Sequence, residues 1–292
     1  MRAIFQWNLG TRSLELGRRT LIMGVVNVTP DSFSDGGLYI DAEKAVVRAE
    51  QLLDEGAAII DVGGESTRPG ASEPVSEEEE RRRVLPVIRD LKRRRPDAVI
   101  SVDTYKAAVA RAAVDLGAEV VNDVSGFRWD PDSKMPKTLA ELKVGAVLMH
   151  TRGRPEEWRS LPPIGDPVLL VKRELRQLAE AATLAGIKRE RLVLDPGFGF
   201  GKSFEENYPL LAHFGELQQT GFPLLAGVSR KSFIGRTLAR DGKDALASER
   251  LYGTLAAETA LILKGVHIIR THDVRSAVEA ARVADAIVAC GG

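Results

Sequence analysis

Short runs of Val, Ile and Leu alternate eight times with longer amphipathic stretches along this 292-residue chain, and that rhythm restricts the fold more than any other feature. The runs are Leu21–Val28, Ala58–Val62, Val99–Val102, Glu119–Val124, Ala146–Met149, Leu192–Leu194, Leu224–Val228 and Val266–Ile269. They are almost continuously apolar, which predicts parallel strands buried on both faces. Between them, Asp41–Glu55 places Ala45, Val46, Ala49, Leu52 and Leu53 on one helical stripe closed by Gly56. Ser76–Arg95 opens on a capping Ser and a Glu run and closes on Arg before Pro96. Its EEEERRR segment, 77–83, reads as a solvated helix face. Eight β-then-α units predict an α/β fold, a (β/α)8 TIM barrel spanning 1–292 as a single domain. An open doubly wound sheet is the alternative; the count of eight and the absence of a low-complexity linker favour the barrel. Residues 1–19, with IFQWNL and SLEL around Gly10 and Thr11, predict an N-terminal hairpin covering the barrel bottom.

Charge and cysteine content remove several classes of function. The 41 Lys and Arg residues balance 41 Asp and Glu, so the footprint of a nucleic-acid or anionic-membrane binder is missing and no such partner is expected. A lone cysteine, Cys290, cannot build a disulfide framework or a thiolate metal site, and a reducing, cytoplasmic location is expected. No run approaches ~18 uninterrupted apolar residues, and the first 19 lack the apolar core of a signal peptide, so neither spanning nor crossing of a membrane is expected.

In a barrel of this kind chemistry gathers where strands run into the following loops. Here the ends are polar: Asn27, Asp61, Asp103, Asn122 with Asp123, His150, Asp195, Ser229 to Lys231, and Arg270 with His272. Each alone reads equally well as a cap or a strand-end turn. Converging charge of both signs costs desolvation energy, so a neutralising ligand is expected. Arg270, His272 and Asn27 supply donors and an oxygen ligand suited to a metal-bound polyphosphate. Asp103, Asn122 and Asp195 suit the N–H donors of a flat heterocycle with a guanidine-like edge, and Lys231 a ring carbonyl. Two Gly-, Ser- and Pro-rich loops, Val28–Gly37 and Gly63–Ser72, read as lids. The Asp195–Ser203 loop lacks the spacing of a P-loop, and no G-x-S-x-G elbow, paired metal-ligand histidines or G-x-G-x-x-G after the first strand occurs. No activated protein nucleophile is therefore expected, and His213 and His267 read as structural.

Eight motifs in order resemble the dihydropteroate synthase family: NVTPDSFSDGG at 27–37, DVGGESTRPGA at 61–71, SVDT at 101–104, VNDVSG at 121–126, LMH at 148–150, DPGFGFGK at 195–202, SRKSFIG at 229–235 and RTHDV at 270–274. The resemblance implies a (β/α)8 transferase joining a pterin diphosphate to p-aminobenzoate in folate synthesis, and a homodimer inhibited by sulfonamides. It implies that Asp103, Asn122, Asp195, Lys231, Met149 and Phe200 hold the pterin with Arg270 against the ring. Arg270, His272 and Asn27 would hold the diphosphate, Asn27 through magnesium, and Thr67, Arg68, Pro69 and Ser232 would place p-aminobenzoate. Asn27, Arg68, Lys231, Arg270 and His272 form the implied catalytic set. MHTRG at 149–153 departs from the family, which more often shows an uncharged residue and Gln after the His; Thr151, Arg152 and the Arg-rich stretch to Arg159 are left without a role.

Three rivals fit less well. A pterin-binding barrel passing a methyl group to a corrinoid protein would not need the 27–37, 229–235 and 270–274 motifs. An inactive homologue would have lost Asn27, Arg68, Lys231 or His272. A barrel acting on another phosphorylated compound would leave Asp103, Asn122 and Asp195 without a partner.

Overall fold

The computed structural model describes residues 2–29, 38–65 and 74–291. Two short antiparallel strands, β1 (Phe5–Asn8) and β2 (Ser13–Leu16), precede a parallel sheet of eight: β3 (Leu21–Asn27), β4 (Ile59–Gly63), β5 (Ile100–Asp103), β6 (Val120–Asp123), β7 (Gly145–Met149), β8 (Leu192–Asp195), β9 (Leu225–Ala226) and β10 (Ile268–Thr271). The sheet runs β8-β7-β6-β5-β4-β3-β10-β9, and a parallel bridge from Leu194 to Leu224 joins its two ends. The expected (β/α)8 barrel is therefore the observed one.

Around it pack α1 (Leu38–Asp54), α2 (Glu77–Arg94), α3 (Ala107–Asp115), α4 (Met135–Leu142), α5 (Pro167–Leu184), α6 (Phe204–Ala212), α7 (Ser232–Thr237), α8 (Leu251–Leu263) and α9 (Val274–Cys290). The ladder of β9 is shorter than its apolar run: it ends at Ala226, and the left-handed Arg230 (φ 56°) turns the chain beyond it. Two helices, α7 and α8, then precede β10.

Side chains of each barrel strand alternate between two cores. Those facing outward, among them Ile22, Ile60, Ile100, Val121, Ala146 and Leu194, join the helices in the larger cluster. Facing inward, each strand gives one or two residues to a second cluster: Leu21, Met23, Ile59, Val99, Val120, Val147, Val193, Leu225 and Ile268. Trp7, Leu9 and Leu16 of the hairpin complete that layer and cover the bottom, as expected. Trp7 is 1% exposed and its indole N–H donates to the Arg191 carbonyl at 2.8 Å, so truncating it to Ala should cost about 3–5 kcal/mol. Gly145 makes room for this plug, since a Cβ there would lie 2.5 Å from Leu9 Cδ2.

The α2 helix starts as its sequence predicts, with Ser76 Oγ accepting from the Glu79 N–H at 3.2 Å. Arg83 and Glu79 pair at 2.7 Å on its outer side. Glu80 corrects the reading of 77–83 as wholly solvated: it is 1% exposed and pairs with Lys106 at 2.5 Å. A helix face only three residues wide turns one member of any four-residue charge run inward, and this one finds a cation on the strand-to-helix turn before α3.

Candidate active site

Above the apolar plug the inward positions become polar. Asp61, Asp103, Asn122, Asp195 and Arg270 share the inward parity of Ile59, Val99, Val120, Val193 and Ile268, as Asn27 shares that of Leu21 and Met23. A guanidinium anchors the group. Arg270 donates from Nε to Asp61 and from Nη2 to Asp103, both at 2.6 Å, and Asn122 Nδ2 donates to the same Asp61 oxygen at 3.0 Å. Burial opposes the guanidinium charge, but the Asp61 and Asp103 carboxylates hold its pKa above the ordinary value. Burial raises the Asp103 pKa, with Arg270 opposing and Asp61 adding to the rise.

These contacts correct one expectation. Arg270 does not await a ligand to neutralise it, because two carboxylates, the buried Asp61 and the half-buried Asp103, already do so. Asp61, read from sequence only as a polar strand end, is fully buried and central to the network. The signal that locates it is its inward parity, two residues beyond Ile59, which is level with Arg270 across β3.

Asp195 ends β8 and accepts from the Gly197 N–H at 2.7 Å. Burial pushes its carboxyl up to about 6, against that hydrogen bond and the charges of Lys231 and Arg270. Beside it, Met149 and Phe200 belong to a small apolar cluster with Tyr105, Val124 and Trp129. Lys231 Nζ lies 4.1 Å from the Phe200 ring centroid, and Trp158 meets that ring edge-on with centroids 5.2 Å apart. Carboxylates below and apolar walls beside them form a slot whose chemistry suits a flat, donor-edged heterocycle.

Two strand-end residues turn away from the mouth. His150 follows the inward Met149 and so points outward; it is fully buried, 3.3 Å from Glu174 on α5, and burial pushes its pKa down to about 4. Asp123 likewise faces its own loop, accepting from Ser125 N at 2.8 Å and Phe127 N at 2.9 Å. His267 is structural as expected: Nδ1 accepts from Leu224 N at 3.1 Å, which leaves Nε2 to donate to the Ala3 carbonyl at 3.1 Å. His213 caps the C-terminal end of α6.

His272 stands one position past β10. Ser229 Oγ is 3.0 Å from His272 Nδ1 and accepts from the His272 backbone N–H at 3.2 Å, tying the β9 and β10 ends together. Arg230 and Asp273 add a two-point ion pair at 3.0 and 2.5 Å between the same loops. Ser232 opens α7 and lines a cavity of about 860 Å³ with Arg152, Trp158, Phe204 and Arg236.

Arg152, without a role from sequence, joins two loops: it donates to the Gly201 carbonyl at 3.1 Å and the Pro162 carbonyl at 2.7 Å. Arg154 lies 5.8 Å from the Trp129 ring centroid, and Arg159 lines the cavity with Ser232. Thr67, Arg68 and Pro69, with most of both lid segments, lie outside the described residues. The root of the second segment is described: the Glu65 carboxylate accepts from Lys106 at 2.6 Å and Tyr105 at 3.0 Å.

The mouth of the barrel joins a cluster of carboxylates to an arginine and histidine end. The family described as pterin binding enzyme matches residues 23–272. Dihydropteroate synthase of Synechocystis sp. is 42% identical over 279 residues, spanning 96% of this chain and 94% of the relative. The structure of Xanthomonas albilineans dihydropteroate synthase with 4-aminobenzoic acid superimposes with a TM-score of 0.88 at 44% identity, covering 98% of this chain and 99% of that one. That of the Yersinia pestis enzyme in a sulfonamide drug complex gives 0.85 at 41% identity, covering 94% and 97%. The chain belongs to the pterin binding enzymes and, within them, to the dihydropteroate synthase family.

Proposed function

We propose that this mouth condenses 6-hydroxymethyl-7,8-dihydropterin diphosphate with p-aminobenzoate, giving 7,8-dihydropteroate and diphosphate. The observation that carries the reading is the pairing of an inward Asp195 with the Arg270, Asp61, Asp103 and Asn122 network at one end of the barrel. Asp195, Asp103 and Asn122 take the pterin edge, Lys231 the ring carbonyl, and Met149 and Phe200 the ring faces. Of the five guanidinium N–H groups, Arg270 commits two to carboxylates, so it keeps donors for the diphosphate while its orientation is already set.

The electron-rich pterin stabilises positive charge on the methylene from which diphosphate departs, and Arg270 and His272 stabilise the charge on the departing group. The aromatic amine is neutral near pH 7, so its attack needs no strong base and sheds its proton afterwards. Arg68, Thr67, Pro69 and Ser232 place the amine substrate, and sulfonamides compete with it there. Among the described residues no group of three or more His, Cys, Asp or Glu could hold a metal alone. Asn27, a neutral oxygen donor on the inward parity of β3, would hold a magnesium ion. When bound, that ion would supply charge neutralisation for the leaving diphosphate.

A homodimer is part of the proposal. Leu246 at 67%, Tyr252 at 82% and Val283 at 64% exposed place apolar surface before and along α8 and α9, suited to a second copy. A reducing, cytoplasmic location fits the free Cys290, and no helix among the described residues is long and apolar enough to cross a membrane. Diphosphate release is measured with magnesium, the dihydropterin diphosphate and p-aminobenzoate. Release that requires the amine supports the reading, and amine-independent release overturns it. Calorimetry in excess chelator should retain much of the affinity for the pterin without its diphosphate while turnover stops.

A further inference from the structure

Lys202 closes the loop between β8 and α6, is 7% exposed, and takes no part in the chemistry above. Its ammonium donates to three backbone carbonyls: Gly197 at 2.8 Å, Phe200 at 3.2 Å and His150 at 3.4 Å. Three donors thus meet three acceptors, which is the full capacity of the group. Burying an ammonium is costly, and Lys202 answers to no carboxylate within ion-pair distance among the described residues. Burial lowers its pKa to about 7, with Asp195 opposing the shift.

The acceptors come from the two segments that carry the apolar walls of the slot. His150 directly follows Met149, while Gly197 and Phe200 lie in the β8–α6 loop, which is pressed hard against the end of β7. Gly197 has φ +63°, and a Cβ there would sit 2.0 Å from the His150 carbonyl oxygen; Gly201 has φ +66°, with a Cβ 2.5 Å from the Arg152 oxygen. Only glycine permits this approach. It leaves several carbonyl oxygens converging on a buried point, and Lys202 supplies the cation they require.

We infer that Lys202 is a positioning residue for the pterin pocket, locking the Met149 and Phe200 walls in register by capping the carbonyls of both loops at once. It never touches the substrate. It acts through Phe200, which it holds against Lys231 and Trp158, and its charge behind Asp195 favours the carboxylate that accepts the pterin edge. This inference rests on the pterin reading of the slot.

The test is calorimetric titration with the dihydropterin diphosphate, together with steady-state kinetics, for Lys202→Met, Phe200→Ala and the double variant. Lys202→Met should weaken pterin affinity about 10- to 100-fold, while KM for p-aminobenzoate at saturating pterin stays within about two-fold. Lys202→Gln, which restores two N–H donors, should recover part of the loss. In the Phe200→Ala background, Lys202→Met should add less than about two-fold, because the group it positions is gone. Wild-type pterin affinity in a folded Lys202→Met protein, or losses that simply multiply in the double variant, overturns the inference. Should Lys202→Met not fold, Lys202→Gln carries both comparisons. Absence of pterin binding by the wild-type protein, or unchanged affinity in Phe200→Ala, would instead remove the underlying reading.

Discussion

Arg270 Nη2 lies 2.6 Å from a carboxylate oxygen of Asp103, reaching from β10 to β5 past the two strands between them. With Nε held equally close to Asp61, the guanidinium plane is fixed before any substrate arrives. A donor aligned in advance costs no reorganisation when charge develops on a leaving group. Arg270→Lys keeps the charge but cannot reproduce the planar fork. Its kcat/KM for the pterin diphosphate should fall about 100-fold, some 2.7 kcal/mol of transition-state stabilisation. Near-wild-type kcat/KM in the lysine variant would show that a point charge suffices.

Asp61 is fully buried and serves both Arg270 and Asn122. Asp61→Asn leaves a half-buried guanidinium with a single carboxylate, and breaking a fully buried pair costs about 3–5 kcal/mol. Denaturant unfolding should show a loss near the lower end, since Asp103 still answers the charge. Unfolding indistinguishable from wild type would mean that the network contributes nothing to the stability of the barrel.

Asp195 gives the binding step a pH dependence whose sign follows from its proton. Burial raises its pKa to about 6, and only the carboxylate accepts two N–H groups from a pterin edge. On the acid side affinity should therefore decline as pH falls through 6, approaching a tenfold loss per unit below it. Asp195→Asn should bind pterin poorly at every pH while still folding, because its amide turns a donor toward a donor; mismatches of this kind reach ~10⁴ in discrimination. Titration calorimetry from pH 5 to 8 decides, and a flat profile in the wild-type protein would exclude Asp195 as the acceptor.

Much of the architecture was legible because near-continuous apolar runs can only be strands buried on both faces, and the hairpin under the barrel was legible from IFQWNL and SLEL. The polar ends were legible as a set. Their facing was not: Met149 and His150 are neighbours, yet one turns into the barrel and the other toward Glu174, a distinction resting on a one-residue parity that boundary errors of the same size erase. Strand runs ending at Val102 and Leu194 in the sequence reading extend by one residue to Asp103 and Asp195 in the structure. Lys202 was hidden for a different reason. Its partners are backbone carbonyls, which carry no side-chain signature, and only the folded path of the glycine-rich loop brings them together.

Arg68 lies in the segment whose root is Glu65, held by Lys106 and Tyr105. If Arg68 places p-aminobenzoate, Arg68→Ala should raise KM for that substrate at least tenfold, roughly 1.4 kcal/mol, with pterin affinity and melting temperature nearly unchanged. A large drop in melting temperature with KM unaltered would assign Arg68 to structure.

Glu258 offers a stability test. On α8 it is 1% exposed, and neither carboxyl oxygen has a hydrogen-bond partner among the described residues. Burial pushes its pKa up to about 8, and the Asp273 carboxylate adds to the shift. The unfolded chain ionises near 4.5, so unfolding releases a proton at every pH between the two values. The folded state is accordingly unpenalised below pH 4.5, loses stability steadily as pH rises, and bears the whole cost above pH 8, on the order of 5 kcal/mol. Glu258→Gln cannot ionise and escapes this loss, although its amide brings a pH-independent cost of its own. The difference in melting temperature, variant minus wild type, should therefore grow by several degrees from pH 5 to pH 8. A difference that stays constant across that range would mean that Glu258 titrates as an ordinary carboxyl and is not held neutral behind β10.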